Sequence, residues 1–146
     1  MTRPAAPAGA LRIGILGGGQ LGRMMALAAA RLGIATRILC PDPKSPAFDV
    51  TSDIVVADYE DEAALTRFAE GLDAVTYEFE NVPAATAAFL AARVPVRPGT
   101  RALAIAQDRL PEKTFLAACG IPTAPFRAVD DRAGLEAALA AIGYPA

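Results

Sequence analysis

Three glycines at the spacing Gly-x-Gly-x-x-Gly, Gly17, Gly19 and Gly22, form the first pattern in this chain that points to chemistry. They lie in the stretch GILGGGQLGRMM, between an apolar run and a segment with helical periodicity. Glycine lets the backbone approach a ligand without an intervening Cβ, and the free N–H groups that begin a helix attract anions. The stretch therefore predicts an anion site, most commonly for phosphate, with a ligand-free strand-to-helix turn as the structural alternative.

The glycine pattern does not identify the molecule that carries this phosphate, and a dinucleotide is one candidate. Asp42 follows the second predicted strand about twenty residues beyond the glycines, where an acidic residue would bind the ribose of NAD. Asp42 also stands between Pro41 and Pro43, and a role in a turn is the simpler explanation.

A second acidic residue, Glu78, lies at the end of a later predicted strand in the stretch DAVTYEFENVP. In a doubly wound sheet the first and fourth strands are neighbours, so we expect Glu78 to face the glycine loop. A carboxylate there suits a phosphorylated sugar that carries hydroxyl or amine groups. For Glu80 and Asn81 we favour the structural interpretation that they charge and cap the next helix, which has Pro83 in its first turn.

Composition excludes several classes of function. The 146 residues contain no histidine, which rules out a histidine base, a Ser-His-Asp triad and the usual zinc ligands. A net charge of −2 without a basic block argues against nucleic acid as a partner. No apolar run approaches the roughly 20 residues that cross a bilayer, so we expect no membrane contact and a cytoplasmic location. Cys40 and Cys119 are interpreted as two buried cytosolic thiols without a disulfide.

Strand and helix patterns alternate through the first hundred residues, which predicts an α/β, Rossmann-like, doubly wound parallel sheet. Residues 1–10 are predicted to be a disordered leader, and residues 11–100 a substrate-binding domain. The predicted strands are 11–16, 36–40, 53–57, 73–77 and 94–97, and the predicted helices are 20–32, 61–70 and 83–92.

The pattern changes near residues 98–108, where we place a domain boundary. Two successive helices are predicted over 100–107 and 109–119, with Asp108 as the N-cap between them. The stretch GIPTAPFRAV predicts a passage into a short strand, and a further helix begins at Asp130 and Asp131. Residues 101–146 are too few for an independent domain and predict the start of a larger one.

Five stretches together resemble one family: GILGGGQLGRMM, YEFENVP, RPG, IAQDRLPEK and GIPTAPF. The chain from about Arg12 to Ala146 is similar to the N-terminal portion of the N5-carboxyaminoimidazole ribonucleotide synthetases, ATP-grasp enzymes of purine biosynthesis. The resemblance implies a pre-ATP-grasp domain followed by the first helices of an incomplete ATP-grasp domain.

The resemblance also implies a reaction and a set of substrate contacts. Members of this family join bicarbonate to 5-aminoimidazole ribonucleotide with ATP and Mg²⁺, releasing ADP and phosphate, and commonly pair as homodimers. Gly19, Gln20 and Leu21 would then contact the 5′-phosphate, and Glu78 would bind the sugar or amine side of the substrate.

By the same resemblance, Arg109 and Lys113 would contact the phosphates of ATP. Their structural alternatives are an ion pair of Arg109 with Asp108 or Glu112, and a solvated Lys113. The family's later lysine strand, glycine-rich lid and metal ligands lie outside this sequence, so no catalytic or metal-binding residue is assigned and we expect the 146 residues alone to be inactive. We also expect poorly covered apolar side chains in the last helix, namely Leu135, Leu139 and Ile142.

Two other functions remain as alternatives. One is an NAD(P)-binding domain of a dehydrogenase, which would need Asp42 to hold the ribose hydroxyls. The other is a non-catalytic nucleotide-sensing or interaction module, which would need no further domain.

Overall fold

A computed structural model describes residues 11–144 of the chain. The predicted leader over residues 1–10 lies outside the described residues. The strands are β1 (Arg12–Leu16), β2 (Ala35–Cys40), β3 (Ile54–Val56) and β4 (Ala74–Tyr77), and a 3-10 turn covers Pro46–Asp49. The helices are α1 (Gln20–Arg31), α2 (Glu62–Ala69), α3 (Ala84–Ala91), α4 (Thr100–Ala106), α5 (Arg109–Ala118) and α6 (Arg132–Ile142).

The four strands form one parallel sheet in the order β3-β2-β1-β4. Leu16 pairs with Leu39 of β2 on one side and with Tyr77 of β4 on the other. The carboxyl ends of these three strands therefore meet at one edge of the sheet, around the glycine loop. The order reverses at β1, which confirms the predicted doubly wound α/β fold.

Alternating residues of the central strands supply two separate cores, one on each face of the sheet. On one face Ile15 and Ile38 pack with Ala26 of α1 and with Ala47 of the 3-10 turn. On the opposite face lies a larger cluster that includes residues of α2, α3 and α4: Leu16, Leu39, Leu65, Phe68, Val75, Val82, Ala87, Leu90, Val94, Val96 and Leu103.

The C-terminal end of α2 is held by one arginine of the sheet. Arg37 of β2 donates from Nη1 to the carbonyls of Phe68 at 2.9 Å and Glu70 at 2.8 Å, and more weakly to that of Arg67. Its Nε donates to Asp53 at 2.9 Å. The carbonyl groups that a helix leaves without partners at its end are thus satisfied by a guanidinium.

Two predicted strands are wrong. The fifth strand, predicted over 94–97, is reduced to a single parallel bridge between Val75 and Val96. Val96 is buried, but the segment enters Pro98 directly, and proline supplies no N–H to extend the pairing. The short strand predicted in GIPTAPFRAV is also absent, because the described residues offer this segment no paired strand.

Three helices begin where the sequence places an aspartate cap. Asp61 accepts a hydrogen bond from the N–H of Ala64, Asp108 from that of Leu110, and Asp131 from that of Gly134. These contacts confirm the predicted N-cap at Asp108 and the helix start at Asp130 and Asp131.

The chain divides into two compact units, with the change between Leu103 and Ala104. The second unit contains α5, an extended segment and α6. The prediction that Cys119 is buried is wrong, because this residue is exposed at the end of α5. Leu135 is 46% exposed and Ile142 36% exposed, as expected for a poorly covered last helix, while Leu139 is half-buried. Within residues 11–144, none of the helices has the length and apolar character needed to span a membrane.

Candidate functional site

The glycine loop joins β1 to α1 at the carboxyl edge of the sheet. Gly17 has a φ of +112°, a conformation that favours glycine, and its N–H donates to the carbonyl of Leu39 at 3.0 Å. Gly19 is the N-cap of α1 and has no side chain to satisfy the first N–H groups of the helix. The loop therefore presents backbone donors that need an acceptor from elsewhere.

Glu78 supplies that acceptor from the end of β4. Its Oε1 accepts a hydrogen bond from the N–H of Gly19 at 2.8 Å, and its Oε2 accepts one from the N–H of Gly22. The Glu78 N–H in turn donates to the carbonyl of Leu16 at 3.1 Å, which continues the β1–β4 pairing by one residue. Glu78 thus faces the glycine loop, as the predicted strand order required.

Close approach of Glu78 explains two of the glycines. A Cβ added at Gly17 would overlap the Glu78 side chain, and one added at Gly19 would lie 2.9 Å from its Oε1. The loop and the Glu78 carboxylate therefore pack directly against each other, and the negative charge lies at the positive end of the α1 dipole.

The far side of the loop rests on the 3-10 turn. Ser45 is buried, and a Cβ added at Gly18 would lie 2.5 Å from the Ser45 Cβ. The Ala47 N–H donates to the Gly18 carbonyl at 2.9 Å. Arg23 of α1 donates to the Pro46 carbonyl at 3.0 Å and pairs with the Asp49 carboxylate at 2.8 Å. These contacts fix the backbone on which a ligand would rest.

Three polar side chains that were not predicted to lie near the loop are found there: Ser45, Cys40 and Tyr59. The Ser45 hydroxyl donates to the Cys40 Sγ at 3.1 Å. Burial raises the pKa of Tyr59 above its usual range, and the adjacent Cys40 thiol and the Glu78 carboxylate act in the same direction. Cys40 ends β2, Ser45 follows β2, and Tyr59 follows β3. These positions were the available signal, because parallel strands end at a common edge.

Gln20 and Leu21 form the first turn of α1, and both side chains are exposed. Within the described part of the chain, their N–H groups have no acceptor, in contrast to those of Gly19 and Gly22. Two donors at the positive end of a helix thus remain available to an anion from solution.

Asp42 lies in a turn. Its Oδ1 accepts a hydrogen bond from the Lys44 N–H at 2.9 Å, and its carbonyl accepts one from the Ser45 N–H at 3.2 Å. The side chain therefore closes its own turn, which agrees with the simpler of the two explanations given for this residue.

Arg109 and Lys113 lie one turn apart on α5 in the second unit. Arg109 is exposed and forms an ion pair with Glu112, the partner that the structural alternative named. The Lys113 Nζ lies 5.5 Å from the centroid of the Phe126 ring. Both cations line one concavity of about 330 Å³, together with Leu110, Phe126 and Arg127.

A resident metal ion does not fit the described residues. Between residues 11 and 144, no three His, Cys, Asp or Glu side chains come together in an arrangement that could hold a metal. We therefore assign no chemical step through a metal to this part of the chain.

Residues 10–107 match the model of the ribonucleotide synthetase preATP-grasp domain. The chain belongs to this family. The match contains the glycine loop and Glu78, and it ends before α5.

Relatives with known names are similar to this chain in sequence and in structure. The chain is 53% identical to the N5-carboxyaminoimidazole ribonucleotide synthase of Brucella melitensis, over 90% of this chain and 36% of that protein. It superposes on the crystal structure of the N5-carboxyaminoimidazole ribonucleotide synthetase from Thermus thermophilus with a TM-score of 0.86 and 54% identity, over 91% of this chain and 37% of that one.

A third relative was crystallised with ligands. It is the N5-carboxyaminoimidazole synthase from Aspergillus clavatus, in complex with ADP and 5-aminoimidazole ribonucleotide. The TM-score is 0.84 at 33% identity, over 93% of this chain and 36% of that chain. The chain thus spans little more than a third of the length of these relatives.

Membership in the preATP-grasp family overturns the dehydrogenase alternative. A glycine-rich strand-to-helix turn is shared with dinucleotide-binding folds, but here two of its N–H groups are bound by Glu78 and Asp42 closes a turn. This chain and the dinucleotide-binding folds share a helix N-terminus at the turn, and the side chains around it decide which ligand is bound.

Proposed function

We propose that this chain is the substrate-binding part of an ATP-dependent ligase that carboxylates 5-aminoimidazole ribonucleotide with bicarbonate. The products would be N5-carboxyaminoimidazole ribonucleotide, ADP and phosphate. Family membership and the names of the relatives support the reaction. The observation that carries the assignment within this chain is the Glu78 carboxylate, held against the glycine loop by two backbone N–H groups.

The arrangement favours binding of two different groups of the substrate at two parts of the site. The Glu78 oxygens retain lone pairs beyond their two backbone bonds, and these accept hydrogen bonds from ribose hydroxyls or an amine. A phosphate group is repelled by the same carboxylate and needs N–H groups that Glu78 does not occupy. We infer that the N–H groups of Gln20 and Leu21 donate to the phosphate, and that Gly19 lies between the phosphate and Glu78.

Arg109 and Lys113 are proposed to contact the phosphates of ATP. Support comes from their position on one face of α5 and from their shared concavity. Both side chains present donors, and a guanidinium can bind two phosphate oxygens at once. The Glu112 partner of Arg109 would have to release it or share it.

Transfer of a phosphoryl group needs more positive charge than these residues provide. The reaction depends on positioning and on cations, commonly Mg²⁺, that stabilise charge on the transferring group. The described residues supply no cluster of metal ligands. We therefore propose that these 146 residues alone do not turn over ATP, and that Mg²⁺ is held by other residues of the complete enzyme.

We also infer that the complete enzyme is a cytoplasmic homodimer. The outward face of α1 supports an association surface, because Leu21 and Met24 are each more than half exposed and Leu27 nearly so. Leu32, just after the helix, is also exposed. Apolar side chains exposed at helical spacing favour contact with another surface. Analytical ultracentrifugation of the complete enzyme tests the dimer.

The substrate assignment is tested by titrating the isotope-labelled chain with 5-aminoimidazole ribonucleotide and, in parallel, with NADH. We expect backbone amide shifts at Gly19, Gln20 and Leu21 with the ribonucleotide alone. Glu78→Gln keeps the shape of the side chain but removes its charge, and we expect at least tenfold weaker binding from the loss of charge-assisted hydrogen bonds.

Glu60→Gln is the matched control, since Glu60 is an exposed acid in the same unit. The control should bind like the parent chain. Loop shifts with NADH, or equal weakening by both variants, would contradict the proposed function.

A further inference from the structure

The concavity beside α5 contains a third cationic side chain that the sequence analysis did not identify. Arg127 lies on the extended segment between α5 and α6, one residue beyond Phe126. It lines the concavity of about 330 Å³ together with Arg109 and Lys113. Among the described residues, the lining thus has three cationic side chains and no carboxylate, although Glu112 reaches Arg109 from beside it.

The three cations differ in how far the protein neutralises them. Arg109 is paired with Glu112, and Lys113 lies over the Phe126 ring, which attracts a cation without cancelling its charge. In the described part of the chain, Arg127 has no carboxylate within ion-pair distance. The acids near it in sequence are Asp130 and Asp131, and Asp131 is engaged as the cap of α6.

A surface cation that serves only solubility usually lies among acids, as Arg132 does beside Glu136. Concentration of positive charge around a cavity instead raises the local concentration of anions. An anion with several charged oxygens would contact all three groups at once, and the planar guanidinium of Arg127 would bind two of these oxygens. A chain of phosphates has this charge and this reach.

We propose that Arg127 is a third contact, with Arg109 and Lys113, for the phosphate chain of a nucleotide. This inference rests on the proposed function, because it assumes that Arg109 and Lys113 meet ATP. It adds a residue from a different segment, so that the phosphate chain is held between α5 and the segment that follows it.

The test uses the isotope-labelled 146-residue chain, titrated separately with ATP and with inorganic tripolyphosphate. The compared variants are Arg127→Gln, Arg109→Gln and Arg132→Gln. Arg132 is the matched control, since it is an exposed arginine of the same unit outside the concavity. Unchanged amide positions in β1 and α6 without ligand verify that each variant keeps its fold.

We expect Arg127→Gln to weaken ATP binding roughly five- to tenfold, as loss of a charge-assisted contact implies, and Arg132→Gln to change it less than twofold. Tripolyphosphate should shift the same α5 amides, and Arg127→Gln should weaken its binding by the same factor. A loss seen with ATP and not with tripolyphosphate would place Arg127 on the nucleoside and overturn the proposed phosphate contact.

Two further results separate this inference from the proposed function. If Arg109→Gln weakens binding and Arg127→Gln binds like the parent chain, the proposed function stands and the role of Arg127 is overturned. If millimolar ATP produces no shift in α5, the phosphate contacts of Arg109, Lys113 and Arg127 are all overturned for this chain. The ribonucleotide assignment at the glycine loop is then judged by its own titration.

Discussion

In the unit that ends at Leu103, α2 packs Ala64, Leu65 and Phe68 into the core, whereas α5 of the second unit has no buried residue in the described part of the chain. Both helices have an aspartate cap and a comparable amphipathic pattern. The difference is the surface that receives the apolar face: α2 lies on a sheet, and helix stability in proteins comes mostly from such packing. Both units therefore have helix caps and amphipathic helices, but among residues 11–144 the clusters of buried apolar side chains lie in the first unit.

The sharpest test of this comparison is a pair of large-to-small substitutions. Phe68 is fully buried in the larger core, and Leu135 of α6 is nearly half exposed. We expect Phe68→Ala to lower the free energy of unfolding by about 3 to 5 kcal/mol, and Leu135→Ala by less than about 1 kcal/mol. Urea denaturation monitored by circular dichroism measures both. Equal losses would show that the second unit has a core of its own.

A second test separates backbone strain from close packing at the glycine loop. Gly17 and Gly33 both have positive φ, but a Cβ would overlap Glu78 at Gly17 and would meet nothing within 4 Å at Gly33. We expect Gly33→Ala to cost about 1 kcal/mol. Gly17→Ala should cost about 1 to 3 kcal/mol and also displace Glu78 from the α1 N-terminus.

Thermal denaturation measures the stability of the two glycine variants, and the Gly19 and Gly22 amide shifts report the position of Glu78. If Gly17→Ala leaves the amide shifts of Gly19 and Gly22 unchanged, Glu78 does not pack against the glycine loop as the structure has it.

A third test compares two arginines. Arg37 of β2 is largely buried and donates to carbonyls at the end of α2, whereas Arg132 forms an exposed pair with Glu136. Arg37→Met should cost about 2 kcal/mol because the carbonyls at the end of α2 lose a charged donor and Asp53 loses its ion pair, and Arg132→Met less than about 0.5 kcal/mol. Hydrogen exchange of the α2 amides should rise in the Arg37 variant alone. Similar exchange in both variants would remove the proposed role of Arg37 in holding α2.

The smallest expected effect concerns alkaline pH. Burial beside Cys40 and Glu78 raises the pKa of Tyr59 in the folded state, so the unfolded chain loses this proton first as the pH rises. The resulting stability is fully present below about pH 10 and falls above it. Tyr59→Phe should flatten the alkaline part of the stability profile, with Tyr144→Phe, at an exposed position of the second unit, as the control. An unchanged profile for Tyr59→Phe would contradict the described environment of this phenol.

Much of the candidate site could be predicted because its signals are local. The glycine spacing marks a strand-to-helix turn, and the strand order of a doubly wound sheet brings Glu78 to that turn. The side chains of Ser45 and Tyr59 could not be placed in the same way, since they lie in irregular connections whose path depends on packing. The fifth strand was wrongly predicted for a related reason: residues 94–97 form one bridge, because Pro95 and Pro98 have no N–H to extend the pairing.

The sequence by itself determined the alternation of strands and helices, the cap at Asp108, the helix start at Asp131 and the glycine turn between β1 and α1. These features depend on residues close together in the chain, whose propensities and hydrogen bonds act over a few positions. Only the tertiary structure decided that Glu78 occupies the N–H groups of Gly19 and Gly22, and that Arg127 joins Arg109 and Lys113 around one concavity. Such contacts join distant residues, and their geometry is fixed by how the elements pack.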